Sequence, residues 1–308
     1  MKKILVVGSL NVDFVAGVTH IPKPGETILA DRMTVTPGGK GANQAFAAAK
    51  LGGNIAMLGA VGSDTYGAML LESLRSVGVD VSGILVDEGD NTGMAWISVS
   101  ETGENSIVVI SGANRSVTTA YIDEHMDALR DCDIVIMQLE IPLDTVRYVA
   151  QKAKELGKTV ILDPAPAVKT LGESLFACID IVKPNETELA ILVDNENALA
   201  DVAAAARKIA ERGAKNVVVT LGSNGAFLLN DRGEALEFPV GAPVDVVDST
   251  AAGDSFTAAV ALQLAKGKCL EEAIPYAMRV AEITITRKGA QISIPTEQEV
   301  AERLEMLL

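Results

Sequence analysis

Ile4-Leu-Val-Val7, closed by Gly8, is an unbroken apolar run near the start of a chain of 308 residues. A strand with one face in water alternates polar and apolar side chains, so a run without alternation belongs to a strand covered on both faces. The same pattern returns at 134–137, 160–162, 179–182 and 217–219, each beside a helix-like segment. Buried strands alternating with helices predict an α/β fold with a mostly parallel central sheet and helices on both faces. Helices are expected over 41–51, 65–77, 118–130, 143–156, 198–212, 255–266, 270–287 and 297–307, several closed by glycine. Two regions, about 12–35 and 92–110, break the alternation. They read as short strands with turn signals such as Pro22-Lys-Pro-Gly25 and Glu101-Thr-Gly-Glu104, which predicts a small antiparallel β lid on a single domain spanning 1–308.

Composition narrows the function. With 41 acidic and 26 basic side chains the net charge is −15, which argues against a nucleic-acid or anionic-membrane partner. A small anion remains compatible, because backbone N–H groups and one or two placed cations can hold phosphate in an acidic protein. The run at 4–7 is too short for a signal-peptide core or a membrane span, and a cytoplasmic protein is expected. Cys132, Cys178 and Cys269 are far apart and read as free thiols, while His20 and His125 form no cluster.

The densest chemical signal is Val246-Val-Asp-Ser-Thr-Ala-Ala-Gly-Asp-Ser-Phe256. It reads as a short strand feeding a helix whose first turn is nearly bare, so that the N–H groups of Ala251, Ala252 and Gly253 converge on an anion. Asp254 in that turn fits either a helix cap or a base for an attacking hydroxyl. Thr36-Pro-Gly-Gly-Lys-Gly-Ala-Asn43 is a second small-residue loop at a helix start, with Lys40 and Asn43 as polar groups; its spacing is not that of a P-loop. Asn11 and Asp13, in an extended segment, share a face suited to neighbouring hydroxyls, although an Asx turn fits as well. Glu140 ends an apolar strand, where ligands of α/β sheets gather. In Lys183-Pro-Asn-Glu-Thr-Glu188, acidic residues suit a helix N-terminus, and Asn185 and Glu188 also suit a nucleotide phosphate with hydrated Mg²⁺. Thr220-Leu-Gly-Ser-Asn-Gly225 reads as a hairpin loop able to pass close to phosphate and ribose. A dinucleotide fingerprint and a serine or cysteine nucleophile set are both missing.

Taken in order, Gly8-Ser-Leu-Asn-Val-Asp13, Gly38-Gly-Lys-Gly-Ala-Asn-Gln-Ala45, Gln138-Leu-Glu140, Pro164-Ala-Pro-Ala167, Pro184-Asn-Glu-Thr-Glu188, Thr220-Leu-Gly-Ser223, residues 248–256 and Thr286-Arg-Lys-Gly-Ala-Gln291 resemble the ribokinase family of sugar kinases, phosphofructokinase B type. The resemblance implies transfer of the γ-phosphoryl group of ATP to the 5-hydroxyl of D-ribose, with Asp254 as base and an anion hole at Ala251, Ala252 and Gly253. It implies sugar binding by Asn11, Asp13, Gly39, Lys40, Asn43, Glu140 and Asp254. It assigns the nucleotide to Asn185, Glu188, Thr220, Leu221, Gly222, Ser223, Asn224, Gly225, Gly253 and Asp254, with Mg²⁺ reached by Glu188 through water. Met278 stands where relatives often carry a polar residue near adenine. It further implies K⁺ at Asp248, Thr250, Thr284, Arg287, Gly289 and Ser293, mostly through backbone carbonyls, and a homodimer formed through the lid. A kinase for another sugar or nucleoside, and a sugar-binding regulator without turnover, are the competing functions.

Overall fold

The computed structural model describes residues 1–241 and 244–305. Its main sheet has nine strands, and the unbroken apolar runs of the sequence are among them. In chain order these are β1 (Lys3–Val7), β4 (Asn54–Gly62), β5 (Ile84–Asp87), β8 (Ile134–Met137), β9 (Thr159–Leu162), β10 (Ile181–Val182), β11 (Asn216–Thr220), β12 (Ala226–Leu229) and β13 (Ala235–Phe238). The second sheet contains β2 (Asn11–Val18), β3 (Arg32–Gly38), β6 (Gly93–Ser100) and β7 (Asn105–Ile110). The main sheet runs β13-β12-β11-β10-β9-β8-β1-β4-β5. All its pairs are parallel except β11 with β12 and β12 with β13, which form antiparallel hairpins at one edge.

Successive side chains of the parallel strands feed two separate cores, as expected for doubly covered strands. Ile4, Val6, Ile134, Ile136 and Ile161 point to one face. That face is covered by α1 (Lys40–Lys50), α2 (Thr65–Ser76), α9 (Ala252–Ala265), α10 (Leu270–Ile285) and α11 (Glu297–Glu305). Leu5, Val7, Val135, Met137 and Val160 point to the other. There they meet α3 (Thr119–Glu124), α4 (Met126–Asp131), α5 (Leu143–Glu155), α6 (Glu173–Phe176), α7 (Glu186–Leu192) and α8 (Val202–Glu211). Alanines at 42, 45, 48, 258, 259 and 261 are all buried in the first core, so little side-chain bulk separates the helices that carry them.

Several boundaries differ from expectation. The segment expected as one helix over 118–130 breaks at His125, whose Nδ1 pairs with the Tyr121 carbonyl at 2.8 Å. The one expected over 198–212 begins with a 3-10 turn, and α8 proper starts after Asp201, which accepts the Ala204 N–H at 2.8 Å. The strand expected at Val246 and Val247 does not form; both are exposed, and the Val247 N–H is held instead by the Ile285 carbonyl at 2.8 Å. The helix after it starts at Ala252 rather than Ser255. Of the helix expected over 297–307, positions 306 and 307 lie outside the described residues.

The small sheet is ordered β3-β2-β6-β7. Its outer pairs are antiparallel, while the central pair, β2 with β6, runs parallel. Parallel pairing follows from topology, since β4 and α2 intervene between β2 and β6. Every residue of β7 is exposed, and Trp96 stacks on Phe14 with ring centroids 5.9 Å apart. The sheet meets the main layer at Asn11, which is in register with Gly38 on one side and Gly93 on the other.

Candidate active site

The first turn of α9 lies beyond the carboxyl ends of the central strands, where open α/β sheets bind ligands. Ala251 caps it at φ 62° and ψ 8°, a left-handed conformation uncommon for alanine. The expected trio of free amides is modified here. The Ala252 N–H donates to the Ser249 carbonyl at 3.2 Å, whereas among the described residues those of Ala251, Gly253 and Asp254 have no partner. Amides of the first helical turn without acceptors are anion donors.

Asp254 is buried within that turn and caps no amide. Its Oδ2 accepts from Asn43 Nδ2 at 2.9 Å and its Oδ1 from Gln44 Nε2 at 3.0 Å, both donors standing on α1. Burial pushes its carboxyl up, Lys40 opposes the shift and Asp163 adds to it. A carboxylate with a raised pKa, held by neutral donors, is suited to accepting a proton.

Asn11, Asp13, Lys40 and Glu140 gather on the small-sheet side of α9. Glu140 Oε2 accepts from Ser9 Oγ at 2.6 Å, from the Lys40 N–H at 3.3 Å and from Asn11 Nδ2 at 3.4 Å. Asn11 Oδ1 is held by Asn114 Nδ2 at 2.8 Å. Gly39 has φ 88° and packs on the chain at Leu10 and Asn11, where a Cβ would lie 2.5 Å from the Asn11 nitrogen, so glycine is required. Burial pushes the Asp13 carboxyl up to about 7, with help from Glu140 and Asp254. Burial acts to lower the Lys40 ammonium, but Asp254, Asp163, Glu140 and Glu188 outweigh it and raise the pKa. Carboxylates and one cation thus surround a space with several hydrogen-bond acceptors, an arrangement suited to a polyol.

The second group lies across α9. Asn185 caps α7 in a reciprocal capping box: its Oδ1 accepts the Glu188 N–H at 2.8 Å and Glu188 Oε2 accepts the Asn185 N–H at 2.8 Å. One carboxylate oxygen of Glu188 and the Asn185 amide nitrogen stay outside the box. Burial, then Asp163, raises the Glu188 carboxyl. The Thr220 N–H is used by the Pro184 carbonyl, which joins this loop to the next. The expected hairpin at 220–225 is present, and its Leu221 N–H is occupied by the Gly225 carbonyl at 2.8 Å. The Asn224 N–H is likewise held by Leu221 O, leaving those of Gly222 and Ser223 without partners among the described residues. Met278 is half-buried on α10 against the first core.

The residues assigned to K⁺ border two loops that are held together. Asp248 accepts the Thr250 N–H at 2.9 Å, the Thr250 hydroxyl at 2.6 Å and the Gly289 N–H at 2.8 Å. Burial would raise its carboxyl, but these hydrogen bonds outweigh it and lower the pKa. The Thr284 hydroxyl donates to the Val280 carbonyl at 2.9 Å and that of Ser293 to Ala290 O at 2.7 Å. The Arg287 side chain pairs with Glu299 at 2.7 Å, so its charge already has a partner. No group of three His, Cys, Asp or Glu side chains able to hold a metal occurs among the described residues.

Sequence reasoning gave no role to Gln44, Asn114, Gln138, Asp163 and Lys183, although Gln44, Gln138 and Lys183 lie in the quoted motifs. All five are buried and contact other site residues. For Asp163 and Lys183 a signal existed, since each directly follows the apolar run that ends a strand.

Paired buried carboxylates on one side of an amide-lined helix start, with small-residue loops on the other, fit a kinase of small polyhydroxy substrates. The chain belongs to the pfkB family of carbohydrate kinases, which matches residues 1–297. A ribokinase of Haemophilus influenzae is 40% identical over 305 residues, with 99% of each chain covered. Among solved structures, a ribokinase from Thermotoga maritima is 40% identical with a TM-score of 0.90, covering 99% of this chain and 100% of that one. A ribokinase of Arabidopsis thaliana complexed with ribose and ATP is 34% identical, also with a TM-score of 0.90 and 99% of each chain covered. No helix of the described residues is long and apolar enough to cross a membrane.

Proposed function

We propose that this carbohydrate kinase transfers the γ-phosphoryl group of ATP to the 5-hydroxyl of D-ribose, giving D-ribose 5-phosphate and ADP. The observation that carries the reading is the buried Asp254 carboxylate, held by Asn43 and Gln44 beside the partnerless amides of Ala251 and Gly253. Asn11, Asp13, Gly39, Lys40, Asn43 and Glu140 bind the sugar so that its 5-hydroxyl meets Asp254. Asp254 takes the hydroxyl proton as the new oxygen–phosphorus bond forms and the bond to the β-phosphate oxygen breaks. The amides of Ala251 and Gly253, joined by that of Asp254, stabilise charge on the transferring group. Asn185, Thr220, Gly222, Ser223 and Gly225 hold the nucleotide, flanked by Leu221 and Asn224, and Met278 offers adenine an apolar contact.

The donors present fit both implied cations. Glu188 keeps one carboxylate oxygen outside its capping box, enough for a hydrated Mg²⁺, which usually retains waters. Asp248, Thr250, Thr284, Arg287, Gly289 and Ser293 offer only oxygen donors through carboxylate, hydroxyl and carbonyl groups, a hard set that suits K⁺. When bound, the cations supply positive charge to the phosphates and to the loops that border them. A homodimer through the small sheet is supported by exposed Met33, Trp96, Ile107, Val108 and Ile110. Use of ATP together with three free cysteines supports action in the cytoplasm.

The deciding experiment is ADP release with ATP and Mg²⁺ across ribose, 2-deoxyribose, fructose, 2-keto-3-deoxygluconate and adenosine. Ribose is expected to give the highest kcat/KM. Strong turnover of another substrate with none of ribose overturns the choice of sugar.

A further inference from the structure

We propose that the buried Lys183–Asp163 ion pair is a positioning pair for phosphoryl transfer, holding the Asp254 carboxylate through Gln44 and the first turn of α9 through the Gly253 carbonyl. The proposal rests on the reading of Asp254 as the base. Val182 is in register with Leu162, so the next residues, Lys183 and Asp163, emerge side by side from the ends of β10 and β9. Their side chains are 5% and 3% exposed, and Nζ lies 3.1 Å from Oδ1. That contact lies off the hydrogen-bonding direction, leaving Asp163 Oδ1 with charge attraction alone. A buried ion pair seldom improves on apolar packing for stability, so its presence beside the site calls for another reason.

The contacts supply one. The Gln44 amide nitrogen carries two hydrogens, donating to Asp163 Oδ2 at 2.8 Å and to Asp254 Oδ1 at 3.0 Å. Its orientation is set from behind, because Gln44 Oε1 accepts from Gln138 Nε2 at 2.6 Å. Asn43 holds the second oxygen of Asp254, so the carboxylate plane is fixed at both ends. From the other member of the pair, Lys183 Nζ reaches the Gly253 carbonyl at 3.4 Å, alongside the Thr257 hydroxyl at 2.9 Å. The base and the turn that presents the amides are therefore tied to one pair of charges.

Electrostatics make the idea testable. Asp254 faces Lys40 from α1, Asp13 from β2, Glu140 after β8 and Asp163 after β9. Lys183 acts on it through Asp163, and Glu188 of α7 shares the cavity. Lys183→Met leaves the Asp163 anion uncompensated beside the base, and the acid limb of the kcat/KM pH profile should move up. Asp163→Asn keeps an acceptor for Gln44 but removes that anion, and the limb should move down. The double variant should return it towards wild type.

The experiment measures kcat, sugar KM, pH profiles and melting temperature for the full-length single variants, the double variant and Lys183→Arg. Each neutralising single variant is expected to lose about tenfold or more in kcat with sugar KM changed less than about threefold, and Lys183→Arg to recover part of the loss. Folded variants with unmoved pH limbs, or losses that track melting temperature alone, overturn the proposal. If Lys183→Met does not fold, the downward shift in Asp163→Asn and its reversal in the double variant decide. Asp254→Asn serves as the separate control: retained turnover there removes the base itself, whereas its loss with unmoved limbs elsewhere removes only the positioning role.

Discussion

Replacing Gly38 by alanine should weaken the use of sugar without harming that of ATP. Gly38 ends β3 opposite Asn11, and its φ lies outside the left-handed region, so alanine can adopt the backbone. A Cβ there would stand 2.1 Å from Asp13 Oδ2, 2.3 Å from its Cγ and 2.5 Å from its Oδ1, overlapping the whole carboxylate. Carbon and oxygen need roughly 3.3 Å, so the carboxylate must retreat by about 1 Å, far enough to break a hydrogen bond to a sugar hydroxyl. Hydrogen bonds to a charged group contribute about 1.5–3 kcal/mol, which corresponds to a loss of roughly 10- to 150-fold in sugar kcat/KM. The obstacle is the end of a side chain rather than backbone, so stability should change little. Coupled ADP-release kinetics with ribose and ATP varied in turn, beside a thermal melt, measure each part. A sugar kcat/KM within about twofold of wild type refutes the placement of Asp13 against the substrate, and equal losses for both substrates refute a local effect.

Asp254→Asn keeps the size of the side chain and removes the proton acceptor, so kcat should fall by about 10²- to 10⁴-fold with sugar KM nearly unchanged; near-normal turnover would exclude it as base. Asp13→Asn tests the raised carboxyl. With a folded pKa of about 7 against an ordinary 3.8, the folded state keeps a proton that the unfolded state releases. Stability is therefore lost as pH rises through that interval, by on the order of 4 kcal/mol when ionisation is complete. Asp13→Asn should raise the melting temperature at pH 8 more than at pH 4, and equal effects at both would contradict the burial argument. Exchanging K⁺ for tetramethylammonium should depress kcat, while an unchanged rate would remove the cation from the loops around Asp248.

Burial explains what was legible in the sequence. β1, β8, β9 and β11 are covered on both faces and announce themselves as apolar runs. β4 is as buried, but Gly59, Gly62, Ala56 and Ala60 dilute its apolar signal, and its place between β1 and β5 comes from packing rather than propensity. Val246 and Val247 mislead in the opposite sense, being apolar yet exposed and bonded to a helix end. Among site residues, those proposed to face a ligand sit in loops of unusual composition and stand out. Gln44, Asp163 and Lys183 meet one another and Asp254 across four separate segments, and a single glutamine or lysine in a sequence does not reveal which carboxylate it will meet.

The loop at 248–254 shows how one segment sets two aspartates in opposite ways. Asp248 collects hydrogen bonds from Thr250 and Gly289 that outweigh its burial, so it stays ionised and ties two loops together. Asp254 receives only two neutral amide donors, and burial dominates, raising its carboxyl. Between them Ala251 adopts a left-handed conformation that costs roughly 1–2 kcal/mol for a residue with a Cβ. A left-handed residue followed by helical ones bends successive amides into a concavity that favours an anion. Strain at Ala251 thus separates a fixed anion that braces the loop from the buried carboxylate proposed as the base.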